Sequence, residues 1–360
     1  MAKLRLGVIG AGSWTVASHL PNMAAHRDDV EFAIVNRRDA ALLERIRDRF
    51  GFARSTTDWH DVIAETPDIV IVASPVALHY EQAKAALEAG AHVLCEKPFT
   101  LDPVQAWDLV ETARRVGRAL VVAYGWNYRP MIVRAVESML EDGGIGDIEQ
   151  LTIHMSSHTR ALLSGTGAYP AAAPETVPEQ QTWIDPNLSG GGYGQAQLTH
   201  ALGICLSLAP GLRGHEVFAF MSSPLDAPVE LHDAISVRFT NGAIGAIGGG
   251  SEHHGPDNVR HKVDIRLIGT TGNFHISLDR ELVWRYRGPM DSVMSPVEPG
   301  DGSYDCVGPI DALVALALGD AGAVNRSPGE LGARTVEILE AAYRSSASGS
   351  VESVSTVDRS

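Results

Sequence analysis

A glycine-rich turn stands at the start of the chain, where Gly10-Ala11-Gly12 follows the apolar run Leu4–Ile9. Glycines between a first strand and a first helix let the main chain approach a pyrophosphate, while the helix N-terminus supplies N–H groups and positive dipole. The third glycine of the GxGxxG pattern is Thr15 here, so the motif by itself is weak. Its place at the head of a strand–helix series is typical of a dinucleotide site. The turn predicts dinucleotide contacts at Gly10, Gly12, Ser13 and Trp14.

The second apolar run, Glu31–Val35, is followed by Asn36-Arg37-Arg38. In a Rossmann unit an acidic residue at this point bonds the ribose 2′-hydroxyl and would repel a 2′-phosphate. A neutral residue followed by two guanidinium groups suits a 2′-phosphate, because arginine forms charge-assisted bidentate bonds to phosphate. The pattern therefore favours NADP as cofactor. The alternative is that both arginines are solvated residues of the next helix, with Asp39 as the acid, so NAD stays possible.

Strand-like and helix-like stretches alternate along the first third of the chain. Further apolar runs lie at 69–73, 93–95 and 120–123, and helical patterns lie between them at 40–50, 79–89 and 103–116. Continuous runs rich in Val and Ile indicate strands covered on both faces. Strands and helices in this order predict βαβ units and a parallel sheet. We expect an α/β Rossmann N-terminal domain over residues 1–124.

The pattern changes after residue 125, where a helix at 131–140 precedes a series of strand-like stretches. These lie at 148–158, 215–221, 234–240, 243–248, 262–268, 273–277 and 281–285, with turn residues at 240–243 and 269–272. They predict an α+β C-terminal domain, 125–327, with a large, mostly antiparallel open sheet. A closing helix is expected at 328–346 and a flexible tail at 347–360. Residues 160–188 resemble a long loop, of the kind that forms lids or binding loops or is disordered.

Composition narrows the class of protein. The net charge of −15, with 44% apolar and 20% charged residues, is ordinary for a soluble enzyme and argues against nucleic-acid or anionic-membrane partners. No apolar stretch approaches the ~18 residues that a membrane span needs. The three cysteines are far apart and make neither a disulfide framework nor a CxxC metal motif, so the cytoplasm is the default location. Glu252-His253-His254 with His261 is metal-like only by residue type, and no metal site is predicted.

Further landmarks follow in a fixed order along the chain. They are Ser74-Pro75 with His79, then Glu96-Lys97-Pro98, Asn127-Tyr128-Arg129-Pro130, Trp183 to Pro186, Ser189-Gly190-Gly191-Gly192, and His200 eight residues after the last glycine. With the opening glycine turn, this series resembles the Gfo/Idh/MocA family, the glucose–fructose oxidoreductase and inositol dehydrogenase group, over nearly the whole chain. The resemblance implies hydride transfer between nicotinamide and a carbinol carbon of a sugar or polyol. It also implies a homodimer or homotetramer, because the family often uses its open sheet for oligomer contact.

The resemblance implies two catalytic residues, Lys97 and His200. Oxidation of a secondary alcohol requires a base, and both residue types can be tuned for proton transfer near neutral pH. The ordinary alternatives are an exposed loop lysine and a satisfied core histidine. Further cofactor contacts are expected at Ser74, Pro75, His79, Glu96 and Lys97. Substrate contacts are expected at Lys97, Trp126, Asn127, Arg129, Gln195, Gln197 and His200.

One departure from the family pattern is Ala196, four residues before His200, where an Asp is common. An Asp there would orient the imidazole or bind a substrate hydroxyl. Gln195 or Gln197 could bond a substrate but cannot take a proton. Either the proton relay is simpler, or the chemistry differs. The alternatives are an enzyme that retains its nicotinamide through oxidation, elimination or hydrolysis, and re-reduction of a sugar, and a non-catalytic dinucleotide sensor.

Overall fold

The computed structural model describes residues 2–167, 174–253 and 261–355. Its first sheet contains the strands β1 Leu4–Ile9, β2 Val30–Asn36, β3 Arg54–Thr56, β4 Ile69–Val72, β5 His92–Cys95 and β6 Leu120–Val122. These six strands are all parallel, in the order β3-β2-β1-β4-β5-β6. From β1 the chain first adds β2 and β3 on one side and then returns to add β4, β5 and β6 on the other. Parallel sheets of this kind bind ligands in the crevice where the strand order reverses, here beside β1. The predicted Rossmann fold is confirmed.

Helices alternate with these strands: α1 Leu20–Met23, α2 Ala40–Phe50, α3 Trp59–Ala64, α4 His79–Glu88 and α5 Pro103–Val116. Local sequence explains where the longer ones begin. The Asp39 side chain accepts hydrogen bonds from the first free N–H groups of α2, and Asp102 does the same for α5. Both helices end at a glycine in the left-handed conformation, Gly51 and Gly117. The predicted bounds of α2 and α5 are therefore confirmed to the residue.

The second sheet is mixed and mostly antiparallel, as predicted. Its strands are β7 Ile148–Ser157, β8 Gly214–Ser222, β9 His232–Phe239, β10 Ile244–Ser251, β11 His261–Gly269, β12 Gly272–Ser277, β13 Leu282–Gly288, β14 Asp291–Met294 and β15 Glu352–Ser353. Within the described ranges they follow the order β14-β13-β12-β11-β7-β10-β9-β8-β15. Only the pair of β7 and β10 is parallel among these ladders.

The remaining helices are α6 Pro130–Leu140, α7 Arg160–Leu163, α8 Gln181–Ile184, α9 Pro186–Ser189, α10 Thr199–Leu208, α11 Val307–Ala317 and α12 Gly329–Ser348. The long helix α12 packs against α5, α10 and β8, so it joins the Rossmann unit to the second sheet. Two wide π-helical turns, at Thr15–His19 and Gly194–Leu198, precede α1 and α10. Wide turns of this type occur frequently at functional sites.

Three expectations differ from the structure. The stretch 160–188, expected as one loop, contains α7, α8 and α9, while 168–173 lies outside the described residues. Residues 347–355, expected in a flexible tail, instead extend α12 and add β15 to the edge of the sheet, because Val354 buries its side chain and its N–H bonds His215. The helix α11 was not predicted, since its apolar residues have no one-sided periodicity.

Of the described helices, none has the length and apolar character required to cross a membrane. Cys95, Cys205 and Cys306 are all buried free thiols.

Candidate active site

The opening glycine turn has the geometry that close approach of a ligand requires. Gly10 has a φ of +85°, and a Cβ on it would lie 2.5 Å from the main-chain nitrogen of Ser74, so only glycine fits. A Cβ on Gly12 would meet nothing closer than 4.0 Å, which leaves open space beside the turn. Thr15, in place of the third glycine, is buried and its hydroxyl donates to the Gly10 oxygen at 3.0 Å. Thr15 therefore stabilises the turn, and the open space fits the pyrophosphate of a dinucleotide.

The last residue of β2 and the residues that follow it lie at the edge of the crevice beside the opening glycine turn. Asn36 is buried and donates to the Thr56 oxygen at 3.2 Å, whereas Arg37 turns back to donate to the Ala11 oxygen at 2.7 Å. Arg38 is exposed and lies 3.3 Å from Glu179, a residue of the segment before α8. Burial lowers the pKa of Arg37, although the charges of Asp39, Glu179 and Glu175 oppose the shift. The two guanidinium groups thus face acidic side chains that reach over from the second domain.

His79 joins two loops of the crevice. Its Nε2 lies 2.8 Å from the Ser74 oxygen and its Nδ1 lies 2.9 Å from the Pro98 oxygen. Burial lowers the pKa of His79 despite these carbonyl partners. The Ser74 hydroxyl donates to Gln82 at 2.6 Å. Main-chain oxygens lie within hydrogen-bond distance of both ring nitrogens, so His79 holds the loops after β4 and β5 together, and its contact with the cofactor stays a prediction.

Glu96 is held by a buried histidine that the sequence did not single out. Its Oε1 lies 2.6 Å from His19 Nε2, and its Oε2 accepts a hydrogen bond from the Lys97 main-chain nitrogen at 2.9 Å. Burial alone would raise the pKa of Glu96, but the His19 hydrogen bond and the Lys97 charge outweigh it, so the pKa is lowered. The Lys97–Pro98 peptide is cis. Glu96 is therefore an anionic support for the Lys97 loop.

The Lys97 side chain crosses from the Rossmann unit to the second domain. Its Nζ donates to the main-chain oxygen of Ala196 at 3.0 Å and lies 5.8 Å from the centre of the Trp183 ring. Burial lowers the pKa of Lys97, and the nearby Glu96 opposes that shift. Ala196 lies in the π-helical turn Gly194–Leu198, so the lysine reaches the segment that carries the predicted substrate contacts.

His200 is buried in α10 among aromatic rings. The Trp126 and Tyr304 ring centres lie 5.2 and 5.1 Å from its own. Burial, followed by the charges of Lys97 and His261, holds the pKa of His200 well below its usual value. The structure thus brings Lys97 and His200 together and favours a neutral imidazole, which can accept a proton.

Several buried polar atoms, on the segment 194–200 and on Asn127 beside α10, have no hydrogen-bond partner among the residues that the structure describes. They are Gln195 Oε1, Gln197 Oε1, Asn127 Oδ1 and His200 Nδ1. Leaving a buried polar atom unpaired costs about 1–3 kcal/mol, so such atoms call for an explanation. These unpaired atoms therefore mark the surroundings of Lys97 and His200 as a candidate binding site.

Two of the predicted substrate contacts, Trp126 and Arg129, form hydrogen bonds to the segment 300–306. Trp126 Nε1 donates to the Gly302 oxygen at 3.0 Å, and Arg129 donates to the Gly300 oxygen at 2.8 Å and pairs with Asp305. Asn127 donates to the Gly203 oxygen at 3.3 Å. Trp126 and Arg129 therefore anchor the segment 300–306, which offers them carbonyl and carboxylate acceptors, and their contacts with a substrate stay predictions.

The anchored segment brings Tyr304 into the centre of the site. Its ring lies 5.7 Å from Trp14 of the glycine turn and 4.6 Å from Trp126, and its hydroxyl lies 3.4 Å from Cys306 Sγ. No local pattern points to Tyr304, since each of these partners except Cys306 is distant in sequence. Tyr304 connects the cofactor turn to His200.

Three side chains of metal-ligand type meet behind Lys97. Single atoms of His19, Glu96 and Cys306 lie within 4.8 Å of one another, all buried. Burial raises the pKa of Cys306 to about 12, and Lys97 adds a positive charge beside Glu96. His19 and Glu96 lie 2.6 Å apart and Cys306 bonds the Tyr304 hydroxyl, so we interpret the cluster as a hydrogen-bonded support. Of the other metal-like residues, His254 lies outside the described residues.

Comparison with known proteins gives the family context. Residues 4–124 match the oxidoreductase family with an NAD-binding Rossmann fold, and residues 133–275 match the GFO/IDH/MocA C-terminal domain. Levoglucosan dehydrogenase of Pseudarthrobacter phenanthrenivorans is 27% identical over 319 residues, which are 78% of this chain and 75% of that protein. D-Glucoside 3-dehydrogenase of Escherichia coli is 33% identical over 150 residues, 40% of this chain and 41% of that protein.

Solved structures agree in fold. A structure of levoglucosan dehydrogenase in complex with NADH and levoglucosan matches with a TM-score of 0.76 and 23% identity, covering 99% of this chain and 100% of that one. At this identity the likeness establishes the fold, and the chemistry has to be argued from the side chains.

Proposed function

The chain belongs to the Gfo/Idh/MocA family of oxidoreductases, and on that premise we propose that it transfers a hydride between NADP and a carbinol carbon of a sugar or polyol. Relatives of this chain are named as sugar and inositol dehydrogenases, and a solved structure of levoglucosan dehydrogenase is in complex with NADH. This chain is an NAD(P)-dependent oxidoreductase that acts on CH–OH groups. In the proposal Lys97 and His200 are the catalytic residues.

One observation carries the proposal. The Lys97 Nζ meets the Ala196 oxygen at 3.0 Å, in the same segment whose Gln195, Gln197 and His200 side chains hold unpaired buried polar atoms. A lysine ammonium, a neutral imidazole and amide oxygens are the groups that bind and deprotonate a polyhydroxylated substrate. Ala196 supplies its main-chain oxygen to Lys97, so this position anchors the lysine without a carboxylate.

The residues divide the chemistry between them. A bound nicotinamide accepts or returns the hydride. During oxidation the neutral His200 takes the hydroxyl proton, and in reduction its imidazolium returns that proton. The Lys97 ammonium donates to the reacting oxygen and stabilises the negative charge that develops there. Gln195 and Gln197 orient the substrate by accepting hydrogen bonds from its other hydroxyl groups.

The preference for NADP rests on the residues after β2. Asp39 caps α2 through its Oδ1 atom, which accepts from Ala41 and Leu42, and Arg38 is exposed at the edge of the crevice. A 2′-phosphate would form charge-assisted bonds with Arg38. Glu179 opposes the binding of a 2′-phosphate, because its carboxylate already pairs with the Arg38 guanidinium at 3.3 Å.

We also propose a cytoplasmic homodimer or homotetramer. The outer face of the second sheet carries the ring pairs Phe218–Phe220 and Trp284–Tyr286, and the Phe220 side chain is 69% exposed. Apolar rings on an open sheet favour contact with a second copy. The free buried thiols suit a reducing compartment. Light scattering of the purified chain, compared with Phe220→Glu, measures the oligomer.

The function is tested by a screen of sugars, inositols and keto-sugars with NADP and NAD, read at the absorbance of reduced nicotinamide. Reduction of added cofactor by the parent, absent from Lys97→Met, supports the proposal. Conversion of a sugar with no net change in cofactor would favour the enzyme that retains its nicotinamide. Dinucleotide binding without conversion of any compound would favour the sensor.

A further inference from the structure

Glu230 lies immediately before β9 and reaches the glycine turn that precedes the catalytic segment. Its carboxylate accepts hydrogen bonds from the main-chain nitrogens of Gly192 at 2.7 Å and Gly194 at 3.1 Å. Its own main-chain oxygen accepts from Tyr193 at 3.0 Å. The first N–H groups of a helical segment have no partner within it and are stabilised by negative charge. Glu230 therefore caps this segment from a different part of the chain.

Tyr343 of α12 completes the cap. Its hydroxyl donates to Glu230 Oε1 at 2.6 Å and accepts from the Gln195 main-chain nitrogen at 3.2 Å. Three main-chain N–H donors at the start of the segment, on Gly192, Gly194 and Gln195, are thereby matched to two side chains. One side chain comes from the residues just before β9 and the other from the helix that joins the two domains.

The glycine turn Ser189-Gly190-Gly191-Gly192 packs closely against Glu230 and Tyr343. A Cβ on Gly192 would lie 2.0 Å from the Glu230 main-chain oxygen, and a Cβ on Gly191 would lie 2.3 Å from the Tyr343 hydroxyl. Gly191 also has a φ of +154°, at the edge of the range that favours glycine. The position of the turn is therefore set by Glu230 and Tyr343.

The segment that follows the turn carries the site. Ala196, whose oxygen receives the Lys97 ammonium, lies two residues after Gly194, and Gln195, Gln197 and His200 belong to the same continuous helical segment. We propose that Glu230 and Tyr343 are positioning residues for hydride transfer, which fix the distance between Lys97 and His200 by clamping the start of this segment. The proposal rests on the proposed function of that site.

A second acid, Asp233, lies beside Glu230 in the core. Both of its carboxylate oxygens lack a partner among the described residues. Burial, followed by the charge of Glu230, raises the pKa of Asp233 well above its usual value. Burial also raises the pKa of Glu230, against the pull of its hydrogen-bond donors. Because Glu230 has those donors and Asp233 has none among the described residues, the negative charge is more favourable on Glu230 than on Asp233.

The test compares Glu230→Ala, Glu230→Gln and Tyr343→Phe with the parent, and uses Glu216→Ala as control, a glutamate of β8 paired with Arg238 on the surface. A displacement of about 1 Å can cost about 10²-fold in rate, so we expect kcat of Glu230→Ala to fall at least about 10-fold. The KM for the dinucleotide should stay within about twofold, because the turn Gly10-Ala11-Gly12 is distant in sequence from Glu230 and is not changed by these substitutions. The isotope effect on kcat with a C–D substrate should rise, since hydride transfer becomes slower.

The conservative variants sharpen the test. Glu230→Gln keeps one acceptor oxygen and should restore part of kcat, and Tyr343→Phe, which removes only one oxygen, should show a smaller loss of the same kind. Should Glu230→Ala fail to fold, Tyr343→Phe decides. An unchanged kcat in a folded variant, or equal losses in kcat and dinucleotide affinity, would overturn the inference. A parent without turnover would count against the proposed function itself, which is a separate result.

Discussion

The Lys97 ammonium lies 3.0 Å from the main-chain oxygen of Ala196, so the lysine of the Rossmann unit is bonded to the segment that carries His200. The bond crosses the boundary between the two domains. It uses a main-chain atom at position 196, where the resemblance noted in the sequence leads us to expect a carboxylate. The site is therefore assembled from a hydrogen-bonded lysine side chain on one domain and a capped helical segment on the other.

Replacement of Lys97 by Met should abolish turnover while preserving dinucleotide binding. Met keeps the length of the side chain but removes the ammonium that donates to the reacting oxygen, and losses of about 10²–10⁴-fold are typical for such groups. Steady-state kinetics and dinucleotide titration by fluorescence measure the two effects. Lys3→Met, at an exposed lysine near the N-terminus, is the matched control. If Lys97→Met lost dinucleotide affinity by the same factor as turnover, the lysine would act on the cofactor alone.

The pH dependence of oxidation should reflect a His200 that is neutral at pH 7. Burial and the charges of Lys97 and His261 lower its pKa, so the base loses activity only as the pH falls through that lowered pKa. The acidic limb of kcat/KM should therefore lie below about pH 6.5, the ordinary histidine value. His200→Asn should remove this limb and most of the activity, whereas His154→Asn, an exposed histidine of β7, should leave it. A limb near pH 8 in the parent would contradict this assignment.

Local sequence was sufficient for the elements that position the site. The bounds of α2 and α5 follow from one-sided apolar periodicity between an Asp at the start and a Gly at the end, and all of these lie within one short stretch of chain. The strands β1 and β4 follow from continuous apolar runs. Such features need no knowledge of distant residues.

The directions of side chains could not be predicted in the same way. Trp126 and Arg129 are of the right type for a sugar site, yet both bond the segment 300–306, whose position depends on the whole second domain. Tyr304, Glu230 and Tyr343 have no motif, because each acts on residues more than thirty positions away. Long-range packing decides these roles.

Removal of His19 should destabilise the protein in a pH-dependent way. His19→Leu leaves the Glu96 carboxylate buried without its 2.6 Å partner, and breaking a buried pair typically costs about 3–5 kcal/mol. The folded pKa of Glu96 is lowered, so its contribution is present above the unfolded value of about 4.3 and is lost as the pH falls through the folded pKa. Urea unfolding should therefore show a large difference between parent and variant at pH 7, and that difference should shrink progressively as the pH falls below about 4. A difference independent of pH would assign the loss to packing.

Removal of Glu179 should strengthen NADP binding and leave NAD binding unchanged. Glu179 lies 3.3 Å from Arg38, and a 2′-phosphate would have to displace it and meet its negative charge. Exposed ion pairs are worth about 0.2–1 kcal/mol, so the KM for NADP in Glu179→Ala should fall by about 1.4- to 5-fold. Arg38→Ala should have the opposite effect on NADP, because it removes the donor itself. Glu149→Ala, at an exposed glutamate on β7, changes the net charge equally and should change neither KM. Equal shifts for both dinucleotides in Glu179→Ala would mean that this acid acts on the adenosine ribose or on domain closure, and that Arg38 does not select the 2′-phosphate.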